Sequence, residues 1–134
     1  MQRHVFTYLL LTLITLVSNA HAKWEEIGRT PSSIFYVDPS TIERTGDLAS
    51  IFQLEDFNKV EKISGVDVRA TISHYQFNCS NEQYRTLRFY FFSGPMGSGY
   101  QLFKSEKVDG WSTVAGPSLM SRKVACGLLV KEKK

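Results

Sequence analysis

Gln83-Tyr84-Arg85-Thr86-Leu87-Arg88-Phe89-Tyr90-Phe91-Phe92-Ser93 is the most strand-like stretch of the chain, and its reading decides the fold. Aromatic residues suit a pleated, half-buried surface. Successive side chains of a strand point to opposite faces. Alternation therefore puts Leu87, Phe89 and Phe91 on one face and Tyr84, Tyr90 and Phe92 on the other. With a helix packed on one side of a single sheet, the second row is either an exposed apolar patch of the kind that marks interfaces, self-association included, or is packed under a loop or a curled sheet edge. Arg85 and Arg88 interleave with the aromatics along the strand. Aromatic and arginine residues anchor most protein interfaces, so Tyr84, Arg85, Arg88, Tyr90 and Phe92 form the candidate protein-interaction surface.

Upstream, Ser80-Asn81-Glu82 is a tight polar break, so the β-forming residues 68–79 pair with the aromatic run as an antiparallel hairpin. In that strand Tyr75, Phe77 and Cys79 share a side. Residues 48–57 place Leu48, Phe52 and Leu54 on one face and Gln53 and Glu55 on the other. Residues 59–67 are charged, contain Gly65, and read as an exposed connection. Nearer the start, Trp24-Glu25-Glu26-Ile27 and Ile34-Phe35-Tyr36-Val37 fit two short strands. Asp38-Pro39-Ser40-Thr41-Ile42 reads as one helical turn, capped by Asp38 with Pro39 at its first position.

Downstream, Gly94-Pro95-Met96-Gly97-Ser98-Gly99 reads as a tight reversal. No Gly-Lys-Ser/Thr element follows it, so it is not a phosphate cradle. Residues 100–104 form a short last strand, and residues 108–114 are irregular. Residues 117–127 carry the helix signal. Pro117 opens it, Leu119, Met120, Val124 and Cys126 give an apolar side, and Gly127 stops it. The expected fold class is α+β, mainly β: a single antiparallel sheet of about six strands, a C-terminal helix packed on it, and one disulfide.

The chain has 134 residues with 16 Lys and Arg against 13 Asp and Glu. Residues 1–22 read as a signal peptide. Arg3 and His4 precede an apolar run too short to span a bilayer, and Ala20-His21-Ala22 offers small residues where a signal peptidase cuts. Cleavage after Ala22 leaves a single domain, residues 23–134. Its net charge is +2, as much as the basic tail Lys131-Glu132-Lys133-Lys134 supplies. A near-neutral body lacks the concentrated patch of a nucleic-acid binder.

Cys79 and Cys126 are the only cysteines, and an exported chain with an even count reads as disulfide-bonded. An intermolecular bond and a metal site are the weaker alternatives. His74 is the single histidine of the mature part, too few ligands for zinc, and no Cys-x-x-Cys pair exists. His74 sits mid-strand with Ile72 and Gln76 on its side and reads as a packed sheet residue. Glu25-Glu26 and Glu55-Asp56 are sequence neighbours, so their carboxylates diverge on a strand and do not form a glycosidase pair. No cofactor, metal or catalytic constellation is expected. The chain reads as a binding or structural module, not an enzyme.

A wider pattern joins these segments. Trp24 with Ile27-Gly28 is followed by Tyr36-Val37-Asp38-Pro39-Ser40-Thr41-Ile42 and Tyr75-Gln76-Phe77-Asn78-Cys79. Then come Arg85-Thr86-Leu87, the loop of residues 93–99, Trp111 and Val124-Ala125-Cys126. In order and spacing this resembles the surface-adhesin protein E family of Gram-negative bacteria, over essentially the whole mature chain. The resemblance implies a six-stranded antiparallel sheet with a C-terminal helix and a bond between Cys79 and Cys126. It also implies homodimers and binding of host matrix and serum proteins such as vitronectin and laminin. Adhesin members can be lipid-anchored, whereas Ala20-His21-Ala22-Lys23 offers no lipidation cysteine. The expected location is therefore periplasmic or secreted, with cell-surface display also open and no stable membrane anchor. The competing expectation is a soluble periplasmic accessory protein that binds an envelope component or a small ligand.

Overall fold

The computed structural model describes residues 22–129. Residues 1–21, and with them nearly all of the segment assigned to export, lie outside the described residues, as does the basic tail. Seven strands form one antiparallel sheet: β1 (Glu25–Arg29), β2 (Ser33–Thr45), β3 (Leu48–Ile63), β4 (Val66–Asn78), β5 (Gln83–Phe92), β6 (Gln101–Ser105) and β7 (Ser112–Thr113). The first six follow one another across the sheet, and β7 pairs with the start of β5. One helix, α1 (Pro117–Ala125), follows. The expected architecture is thus what forms, with the short β7 added in the stretch read as irregular.

Two local readings are corrected. Residues 59–67 are not a loose connection. They form the paired ends of β3 and β4, with Glu61 opposite Val68 and Ile63 opposite Val66. Ser64 and Gly65, both at positive φ, make the whole reversal. Asp38-Pro39-Ser40-Thr41-Ile42 is a bulge inside β2, not a helical turn, because pairing jumps from Asp38–Phe52 to Glu43–Ser50. The capping bonds that suggested a helix are present. Asp38 Oδ1 accepts from the Ser40 backbone at 3.0 Å and Thr41 Oγ1 donates to the Asp38 carbonyl at 2.7 Å. Thr41 Oγ1 also accepts from the Phe52 backbone at 3.0 Å, which stitches the turn into the neighbouring strand.

Cross-strand partners share a face of the sheet, so the register defines two faces. The helix face carries Val37, Ala49, Ile51 and Phe77, fully buried beneath Ala125, Cys126 and Val114. The helix approaches this floor on small residues, since Ser118, Ser121 and Ala125 are its buried positions. Ser121 Oγ donates to Gln53 Oε1 under the helix. Leu119, read as part of the apolar side, is 43% exposed. Bulkier residues at the seam would hold the helix off the sheet.

Cys79 and Cys126 are bonded, 47 residues apart. Arginines clasp both ends of this staple: Arg122 Nη2 donates to the Cys79 carbonyl at 3.2 Å and Arg44 Nη1 to the Cys126 carbonyl at 3.1 Å.

The opposite face is covered at the other end of the sheet by the loop after β5. A 3-10 turn, Pro95–Gly97, lies over Leu54 and Ile72. A Cβ on Gly97 would meet Ile72 Cδ1 at 2.8 Å, and Gly97 has φ +75°. Asp56 Oδ1 accepts from the Met96 backbone at 2.8 Å and from Arg69 Nη1 at 3.0 Å, which ties the loop down. Leu54, Val68 and Ala70 are fully buried as a result.

Candidate protein-interaction surface

β5 is where the candidate surface was read, and a bulge changes its geometry. Thr86 pairs with Tyr75 and Arg88 with His74, so Leu87 is an extra residue. One extra residue moves everything beyond it to the other side. Tyr84, opposite Phe77, therefore shares the helix face with Phe89 and Phe91, opposite Ser73 and Thr71. Strict alternation had placed it with Tyr90 and Phe92. Its ring instead packs on Tyr75 at 5.4 Å and Phe77 at 5.9 Å.

The other four candidates lie together on the loop face, to which the same bulge brings Arg85. Arg85 Nε donates to Gln76 Oε1 at 2.8 Å, and its guanidinium lies 4.6 Å from the Trp111 ring centroid. Arg88 pairs with His74, while Tyr90 pairs with Ile72 on one side and Lys104 on the other. Tyr90 and Phe92 sit 6.4 Å apart. All four are half-buried, so they form a band continuous with the covering loop.

Four aromatics outside that set extend this end of the sheet. Phe89, Phe91 and Phe103 make a tilted triad on the helix face, with centroids 5.4 to 5.7 Å apart. Phe103 is 45% exposed and Tyr100 80% exposed. Both belong to β6 or its entry, the outer edge of the sheet. The signal for them lay in the short last strand at 100–104, because the last strand of a meander ends at an edge.

His74 is 8% exposed and stacks on Phe52 at 4.1 Å. Neither of its ring nitrogens has a hydrogen-bond partner. Burial lowers its pKa, Arg88 lowers it further, and Glu43 opposes them. It is a packed residue to which no carboxylate is hydrogen-bonded.

Two hollows flank α1. The larger, about 370 Å³, lies between β1 and the helix and is lined by Ile27, Phe35, Leu119, Met120 and Lys123. The smaller, about 170 Å³, lies at the helix start above Gln53, Glu55, Tyr75 and Tyr84. Burial raises the pKa of Glu55, against a hydrogen bond from Ser33 Oγ at 3.1 Å. Among the described residues, no three His, Cys, Asp or Glu side chains group to hold a metal. No helix among them is long and apolar enough to cross a membrane.

The family model described as surface-adhesin protein E matches residues 24–127. No curated protein matches the chain. Crystal form II of Haemophilus influenzae protein E is similar, with a TM-score of 0.57 and 14% identity over 75% of this chain and 91% of that one. The selenomethionine form of the same protein gives a TM-score of 0.55 and 13% identity over 75% of this chain and 89% of that one. At such identities the likeness is one of fold.

Proposed function

This chain belongs to the surface-adhesin protein E family, and from that premise we propose that it is an exported, non-enzymatic module that binds an extracellular protein. Host matrix or serum proteins are the partners to test first. The observation that carries the proposal is the aromatic and basic band at the β5–β6 end of the sheet. Arg85, Arg88, Tyr90 and Phe92 lie on one face there, and Tyr100 and Phe103 crowd the edge. Rigid aromatics and arginines beside an open strand edge supply both anchors and backbone hydrogen-bonding groups. The same edge offers a second copy a place to pair, which supports homodimer formation.

Surface plasmon resonance with immobilised vitronectin and laminin tests the band. Arg88→Ala with Tyr90→Ala should weaken binding by roughly thirtyfold, the effect of losing one hot spot. Unchanged binding by the double variant refutes the assignment. Protease shaving of intact cells tests display. Digestion of the domain before the outer membrane is broken supports a surface adhesin.

The hollow between β1 and α1 favours a second reading, a periplasmic accessory protein that takes a small apolar ligand. Protection of the domain in intact cells supports that one.

A further inference from the structure

The helix covers only one end of its face of the sheet. Beyond Pro117 and Ser118 the floor continues through Glu55 and Tyr75 to the triad Phe89, Phe91 and Phe103. The hollow of about 170 Å³ stands at the start of this uncovered stretch.

Its chemistry is specific. Phe35, Tyr75 and Tyr84 line it together with the polar side chains of Gln53 and Glu55. Glu55 accepts one hydrogen bond, from Ser33 Oγ. Among the described residues no Lys, Arg or His lies within ion-pair reach of it. The charge felt most strongly at Glu55 is that of Glu61, which is also negative. A half-buried carboxylate without a counter-ion lacks the compensation that such groups ordinarily have. Aromatic faces around it attract a cation through the ring quadrupole. At about 170 Å³ the hollow has more room than one water-sized group needs, enough to admit a slender, unbranched side chain.

We propose that this hollow is a receptor for a single lysine side chain presented by the protein partner. The ammonium pairs with Glu55, the methylene arm lies between the rings of Phe35, Tyr75 and Tyr84, and the Phe89–Phe91–Phe103 triad seats apolar residues flanking the lysine. The receptor rests on the protein-binding reading above and adds to it the residue type that the partner must offer.

The test uses the mature chain and Nα-acetyl-lysine methylamide as probe, followed by amide NMR. Saturable shifts at Glu55, Tyr75 and Tyr84 are expected. Glu55→Gln keeps an acceptor for Ser33 and nearly the same shape but lacks the charge, and should weaken binding roughly tenfold or more. The side-chain-acetylated probe, which has no positive charge, should give no saturable shift. Equal binding by Glu55→Gln, or no saturable shift with the wild-type chain, overturns the receptor. Protein binding measured in parallel separates the two readings. A matrix protein bound equally by wild type and Glu55→Gln leaves the adhesin reading intact and refutes the lysine receptor. Lysine-probe binding that Glu55→Gln abolishes, in a chain that captures no protein, supports the receptor and overturns the adhesin reading.

Discussion

Removal of the staple between Cys79 and Cys126 is the sharpest test of how this fold holds together. The two cysteines are 47 residues apart, and the bond ties the end of β4 to the end of α1. In the chain-entropy model a loop of that length contributes about 4 kcal/mol, by restricting the unfolded chain. Nothing local replaces it. A helix of nine residues is too short to persist alone in water. What remains is the packing of Ala125 on Val37, Ala49, Ile51 and Phe77, Ser121 bonded to Gln53, and Arg122 and Arg44 reaching the carbonyls of Cys79, Asn81 and Cys126. Cys79→Ala with Cys126→Ala should therefore lose about 4 kcal/mol, a large share of the 5–15 kcal/mol typical of a domain. With a urea m-value of about 2 kcal/mol/M the midpoint should fall by about 2 M. Tryptophan fluorescence and far-ultraviolet circular dichroism would follow the transition. Amide exchange should rise in α1 before it rises in β3 or β4. A midpoint lowered by less than about 0.5 M would refute the reasoning, as would exchange rising evenly along the chain.

Three further changes probe other parts of the fold. Ser121→Val leaves Gln53 Oε1 buried without its donor, and should cost about 1–3 kcal/mol, read as a fall in melting temperature. Gly97→Ala forces a side chain into a left-handed conformation over Ile72, and should cost about 1–2 kcal/mol by calorimetry. His74 has a folded pKa below its unfolded value, so the unfolded chain binds the extra proton. Its contribution is present above the unfolded pKa of about 6.5 and is lost as pH falls from there toward the folded value. Urea midpoints measured from pH 7.5 downward should show this decline, and His74→Leu should flatten it.

Most of the sheet is legible in the sequence because hydrophobic alternation and β-propensity act residue by residue. Two features escaped for the same physical reason, namely that local signals are overridden when a neighbouring strand captures the backbone. Asp38 and Thr41 make the bonds of a capped turn, yet β3 takes the turn into the sheet as a bulge. Leu87 carries no mark that it is an extra residue, so simple alternation assigned Tyr84 to the wrong face. On the helix, apolarity pointed to Leu119, whereas close approach selected Ser118, Ser121 and Ala125. Of the candidate surface, Arg88, Tyr90 and Phe92 share a face by simple alternation, and it is the extra residue Leu87 that brings Arg85 to them. Phe103 and Tyr100 come into it only through the edge position of β6.

Gln53 and Glu55 show how a polar face can mislead. Beside Phe52 and Leu54 they look like the solvent side of β3, yet the register turns them toward the helix. Gln53 is satisfied by Ser121, whereas Glu55 is left half-buried with one hydroxyl for company. Burial raises its pKa above the unfolded value, and Glu61 adds to the rise while Ser33 opposes it. The native state therefore holds the proton more tightly than the unfolded chain does. Stability from this group is present below the unfolded carboxyl pKa of about 4.3 and is lost as pH rises through the folded value. Ionised Glu55 is thus a liability to the fold at neutral pH, and Glu55→Gln should be more stable than wild type there. Its urea midpoint should also vary less with pH above the acid range. A cost to the fold at a binding residue is the usual form of the trade between stability and function. If Glu55→Gln were less stable at pH 7 and kept the wild-type pH dependence, the carboxylate would be a scaffold element and its place in a lysine receptor would be lost.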